Sequence, residues 1–140
     1  MNVFVEALEK GQSKAPFPAD PRFTQAVSEI KRSTGDDGPL FVEAIRTIRF
    51  AEQPRCGRIA FIITQPSSRR AWPELGGQIN LCKDGLPPWQ ICSDQPNTLI
   101  PPGKPCKNGT APQNTKEVQS AIDDAIAEGG LSQQRIRPHQ

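Results

Sequence analysis

Apolar positions along this chain switch between two spacings. Phe4, Ala7 and Leu8 share one face at helical spacing and Gly11 follows them, which predicts a short helix over Asn2–Lys10. Gly11–Ala19, with Pro16 and Pro18, reads as a linker. Asp20 can accept hydrogen bonds from free backbone N–H groups, and Pro21 has the fixed φ of a first helical position, so a second helix should start there. Phe23, Ala26, Val27 and Ile30 give it a stripe at i, i+3, i+4 and i+7, and Gly35 is its stop. Gly38-Pro39 opens a third helix by the same logic, with Phe41, Ala44, Ile45 and Ile48 on its buried face. Arg46-Thr-Ile-Arg-Phe50 also alternates as a strand would, but the segment is taken as helical to about Phe50.

The spacing changes at Pro54. Arg58–Thr64 is short, β-branched and mostly apolar, the pattern of a central strand. Gly77–Cys82 is a second strand, with Ile79 and Leu81 on one face, and Trp89–Cys92 a third. Ser93–Gln113 has no periodicity and carries Pro96, Pro101, Pro102, Pro105 and Pro112, so it is expected to be a long loop pinned by its cysteine. Asn114 with Glu117 three residues on resembles a capping box. Val118, Ala121, Ile122, Ala125 and Ile126 then form a helical stripe, and Gly129-Gly130 ends it. The expected fold is α+β: N-terminal helices, a three-stranded antiparallel meander, a long Pro-rich loop and a C-terminal helix packed on the core.

A chain of 140 residues fits a single domain over 1–140. Within it, 1–19 would be the N-terminal helix and linker, 20–130 the compact core and 131–140 a flexible tail. Hydrophobic residues at 35% and charged residues at 23% suit a globular chain. The 15 prolines call for long irregular segments. A net charge of +2 does not suggest a nucleic-acid or membrane-surface binder. The distribution is less even: Arg46, Arg49, Arg55, Arg58, Arg69 and Arg70 cluster with one acid, Glu52, among them. No run is long and apolar enough to span a membrane. The N-terminus has no basic region, and Glu6 and Glu9 interrupt its apolar residues, so it is not a signal peptide.

The cysteines therefore decide the compartment. Cys56, Cys82, Cys92 and Cys106 are even in number in a small, proline-rich chain, which favours two disulfides. Cys82 and Cys92 flank a hairpin with Asp84-Gly85 and Pro87-Pro88 at its turn. A bridge across that turn would add about 2–3 kcal/mol by loop-closure reasoning, and Cys56 would then pair with Cys106. The rival scheme pairs Cys56 with Cys82 and Cys92 with Cys106. Zinc sites present ligands in close pairs, and no Cys-x2-Cys occurs here, so no metal is expected. Disulfides persist in oxidising compartments, which implies a periplasmic or extracellular protein whose signal peptide has been removed.

Catalysis is not expected. The only histidine, His139, stands in the tail, and nucleophilic and acid–base chemistry usually recruit one. Glu74, Asp84 and Asp94 could supply a carboxylate pair, but Asp84-Gly85 is a turn signal in its own right. No cofactor motif is present: Gly76-Gly77 lacks the spacing of a phosphate loop. Asn108-Gly-Thr110 matches a glycosylation sequon, a pattern common by chance. The most distinctive surface stretch is Ser67–Pro73. Arg69 and Arg70 offer planar, multiply donating groups beside the rigid face of Trp72, and Trp89 would lie near them if the three strands form one meander. Alternatively, Arg69 and Arg70 are solvated loop charges and Trp72 caps the core. The expected function is therefore that of an exported, disulfide-stabilised, non-enzymatic protein-binding protein. It would be an inhibitor or immunity protein, or an accessory component of a bacterial envelope or secretion apparatus. The alternatives are a nucleic-acid binder using the Arg46–Arg70 cluster and a small carboxylate-dependent hydrolase.

Overall fold

A computed structural model of the chain describes residues 2–128. The Gly129-Gly130 stop, the tail from 131 and His139 lie outside the described residues. The architecture is α+β. Helix α1 (Val3–Lys10) begins where the Asn2 side chain accepts from the Val5 N–H at 2.8 Å, and it ends at Gly11 in the left-handed region, φ 96°. Strand β1 (Gln12–Pro16) follows, so the stretch expected to be a linker is an edge strand. The helix predicted from Asp20 starts as a 3-10 turn, Pro21–Phe23, capped by the Asp20 carboxylate, and continues as α2 (Thr24–Thr34) to a left-handed Gly35.

The third predicted helix is a strand. Phe41–Arg49 forms β2, paired antiparallel with β1 on one side and with β3 (Cys56–Gln65) on the other. Its apolar residues satisfy both periods. Pairing on both flanks decides in favour of the strand, and with it Val42 and Ala44 turn toward the core while Ile45 is 51% exposed. β4 (Arg70–Cys82) completes a sheet in the order β1-β2-β3-β4. The expected antiparallel meander is thus present, but it has four strands and starts earlier. The predicted third strand belongs elsewhere: β5 (Gln90–Cys92) is the centre of a small second sheet, between β6 (Gln95–Ile100) and β7 (Gln113–Asn114). The Pro-rich loop therefore contributes β6 and remains irregular beyond it.

Helix α1 lies on one face of the sheet, its Val5, Ala7 and Leu8 packed on Ala44, Ile59 and Leu81. Cys82, next to Leu81, projects the other way, because strand side chains alternate. On that side α3 (Lys116–Ala127) packs Val118 and Ala121 against Phe50, Cys56 and Cys82. Its N-cap is Thr115, one residue later than Asn114. The Glu117 carboxylate does not close a capping box. It accepts from the Ala51 and Glu52 N–H groups at 2.6 and 2.9 Å, holding the β2–β3 turn against the helix. Only the first half of the expected stripe is inside: Val118 is buried, Ile122 half-buried, and Ile126 63% exposed.

The disulfides follow the rival pairing. Cys56 and Cys82 face each other across β3 and β4, and Cys92 joins Cys106. A bridge between Cys82 and Cys92 would need β4 and β5 side by side, and they are in different sheets.

Candidate binding site

An apolar cleft of about 930 Å³ opens on the α1 face of the sheet, under α2. Val3 and Phe4 of α1 form one wall, Phe17 and Ile30 the other, and Phe61 and Ile63 of β3 the floor. Its cause is visible in the sequence of α2. The helix has an apolar edge of Val27 and Ile30, but the rest is polar, and no residue of it is buried. α2 thus rests against the domain by a narrow seam, and the space between helix and sheet stays open. Phe4 and Phe61 meet edge to face across the floor, with ring centroids 5.1 Å apart. Among the described residues, polar groups stand in the lining only as Asn2, Glu29 and Ser33, so a single ionisable side chain of theirs borders the cleft.

The far end of α2 is held by one buried side chain. Gln65 is fully buried, and its Nε2 donates to the Asp36 and Gly38 carbonyl oxygens at 2.8 and 2.9 Å. Its Oε1 accepts from Ser68 Oγ at 2.6 Å, and Ser67 Oγ bonds the Asp36 carboxylate at 2.9 Å. These bonds fasten the α2–β2 connection to the β3–β4 turn, which carries the predicted arginines.

In that turn, Arg69 holds the left-handed conformation, φ 61°, the one non-glycine residue to do so among the described residues. Arg69 and Arg70 are exposed, and neither takes part in an ion pair within the described residues. The Arg70 guanidinium lies over the Trp72 ring, 5.9 Å from its centroid. Trp72 is 9% exposed and packs with Leu40, Val42 and Ile63, on the same side of the sheet as Ile63, its partner across the strands. It caps the core, as the alternative reading of that stretch held.

Trp89 is not part of this site. Its backbone N–H and carbonyl are both bonded to the Gln53 side chain, at 2.9 and 3.1 Å, in the turn ahead of Cys56. Trp72 pairs with Ile63 at the other end of β3, roughly 23 Å away along the strand at about 3.3 Å per residue. Arg46, Arg49 and Arg58 are bonded elsewhere in the fold. The Arg46 and Arg49 guanidinium groups donate to the Leu8 carbonyl at the end of α1. Arg58 is buried, bonded to the Gln78 and Asn80 side-chain oxygens, and that burial lowers its pKa. The Asp84 carboxylate accepts from the Leu86 N–H, as a turn former does. Among the described residues no three metal-binding side chains come together, and no helix is long and apolar enough to cross a membrane.

The cleft was not among the sequence-predicted sites. Its one signal was α2 itself, whose apolar stripe is too narrow for the polar length it must cover. No family model, no curated protein and no solved structure matches the chain.

Proposed function

We propose that the chain is an exported, disulfide-stabilised, non-enzymatic binding protein that takes an apolar segment of another protein into the cleft under α2. The observation that carries this reading is the cleft: an apolar space of about 930 Å³ bordered, among the described residues, by one ionisable side chain, Glu29. Such a space favours aliphatic and aromatic side chains over a charged small molecule. Arg69 and Arg70, exposed and without an ion pair among the described residues, extend the preference to a segment flanked by carboxylates, which planar guanidinium groups bind with two donors each. The two disulfides support a periplasmic or extracellular setting. An inhibitor or immunity protein for a secreted enzyme, or an accessory component of an envelope or secretion apparatus, fits these features.

The experiment is affinity capture from the exported fraction of the source organism, followed by titration of the purified partner against two variants. Ile30→Glu puts a charge in the cleft wall. Arg69→Ala/Arg70→Ala removes the donors at the turn. Each should weaken the partner by more than about 2 kcal/mol if it strikes a contact that matters, with the melting temperature of the double arginine variant near wild type. Wild-type affinity in Ile30→Glu would remove the cleft from the interface.

A further inference from the structure

The four-stranded sheet has two edges, and they differ. β1 is five residues long and carries Lys14 and Pro16, both of which discourage strand addition. Among the described residues no strand pairs with β4 on its outer side, and only at its end is a backbone group taken, where the Cys82 N–H donates to the Leu86 carbonyl at 2.8 Å. Between its two paired stretches, β3 supplies only Ile62 opposite Pro73–Gly76, so β4 bulges there. Gly76 is required at the bulge, because a Cβ would overlap the Phe61 carbonyl. From Gly77 to Cys82 the strand is regular again. Gly77-Gln-Ile-Asn-Leu81 contains no charge and no proline, and all but Leu81 are partly exposed. A row of free backbone N–H and C=O groups at strand spacing is satisfied well by only one kind of partner, another extended backbone.

The side chains select which one. In an antiparallel pairing of β4 with itself about Ile79, Ile79 meets its own copy. Gln78 meets Asn80 and Gly77 meets Leu81, each pair occurring twice. No charge faces a like charge, and the amides fall together on one face with the aliphatic residues on the other. Arg58 prepares the amide face: it donates to the Gln78 and Asn80 side-chain oxygens, which orients both amides and leaves their NH₂ groups free to donate across the axis. We infer that two copies of this chain associate through antiparallel pairing of β4 about Ile79, joining their sheets across a two-fold axis. This dimer does not depend on the cleft, which lies under α2.

Sedimentation equilibrium of the oxidised full chain, from low micromolar to high micromolar, tests it together with amide exchange at both ends of that range. The expected result is a concentration-dependent dimer, with alternate amides of Gly77–Leu81 protected only when it forms. Gly77→Lys should weaken the dimer by at least about tenfold, because two cations then enter the pairing. Dilute stability should hold, since an added Cβ at Gly77 meets only the Phe61 ring at 3.7 Å. Lys14→Ala, on the opposite edge, should leave the dimer unchanged. A chain that stays monomeric with freely exchanging edge amides would overturn the inference. So would a dimer indifferent to Gly77→Lys, or edge amides protected only by a different protein.

Discussion

Replacing Gln65 by Met tests how the wall of the cleft is held. The change keeps the length of the side chain and deletes both N–H donors. The Asp36 and Gly38 carbonyls then lose bonds of 2.8 and 2.9 Å from a residue with no exposure to water. Two net hydrogen bonds at about 1 kcal/mol each, plus part of the cost of stranding two carbonyls, give a loss of about 2–4 kcal/mol. At about 3–4 °C per kcal/mol for a chain of this size, the melting temperature should fall by roughly 6–16 °C. Gln65→Glu sharpens the test. A protonated carboxyl can still donate to one of the two carbonyls, whereas a carboxylate cannot donate and is repelled by both. Its folded-state pKa is therefore raised above the unfolded value. Whatever stability the side chain contributes is present below the unfolded pKa and disappears as pH rises through the folded one. Urea unfolding of wild type and both variants, in acid and at neutral pH, reads both effects. A Met variant within about 1 kcal/mol of wild type, with a Glu variant that follows the wild-type pH profile, would refute the claim that Gln65 fastens the α2–β2 connection.

Peptide mapping without reductant should recover Cys56 linked to Cys82 and Cys92 linked to Cys106, and opening either bridge should cost about 3 kcal/mol by loop closure over separations of 26 and 14 residues. In chemical denaturation, Val118→Ala should lose about 2 kcal/mol and Ile126→Ala next to nothing, since the first is 2% exposed and the second 63%. Arg69→Gly should hold or raise thermal stability by relieving the left-handed arginine, while partner affinity falls. The Ser13 hydroxyl, then Lys10, hold the half-buried Glu6 carboxyl below its ordinary range. Its small stabilising effect is present above the unfolded pKa and lost as pH falls through the folded one, and an NMR titration of Ser13→Ala should show the Glu6 value moving back up.

Local chemistry was legible in the sequence where the deciding partner is nearby. Gly11, Asp20 and Gly35 cap their helices as residue type and spacing imply, and the β-branched run from Arg58 is a central strand. Failures occurred where the deciding partner is distant. Phe41, Ala44, Ile45 and Ile48 fit a helix as well as a strand until β1 and β3 are placed on either side. The cysteine pairing depends on which strands are neighbours, and β5 proved to be in another sheet. Glu117 satisfies a cap-like spacing but spends its carboxylate on Ala51 and Glu52, some 65 residues away. At the candidate site, Arg69, Arg70 and Trp72 do share one turn, but Trp89 was joined to them through a meander that does not include its strand. The cleft itself exists only between α1, α2 and the sheet, and no local pattern reports a gap between elements.

Hydrogen exchange of the oxidised chain, free and saturated with its purified partner, tests the proposed binding face most directly. Burial of an apolar segment under α2 should slow exchange in α2 and in the Phe61–Ile63 segment of the cleft floor, leaving β5–β7 and α3 as they were. Protection confined to the second sheet and α3, with α2 exchanging at its free rate, would contradict the account.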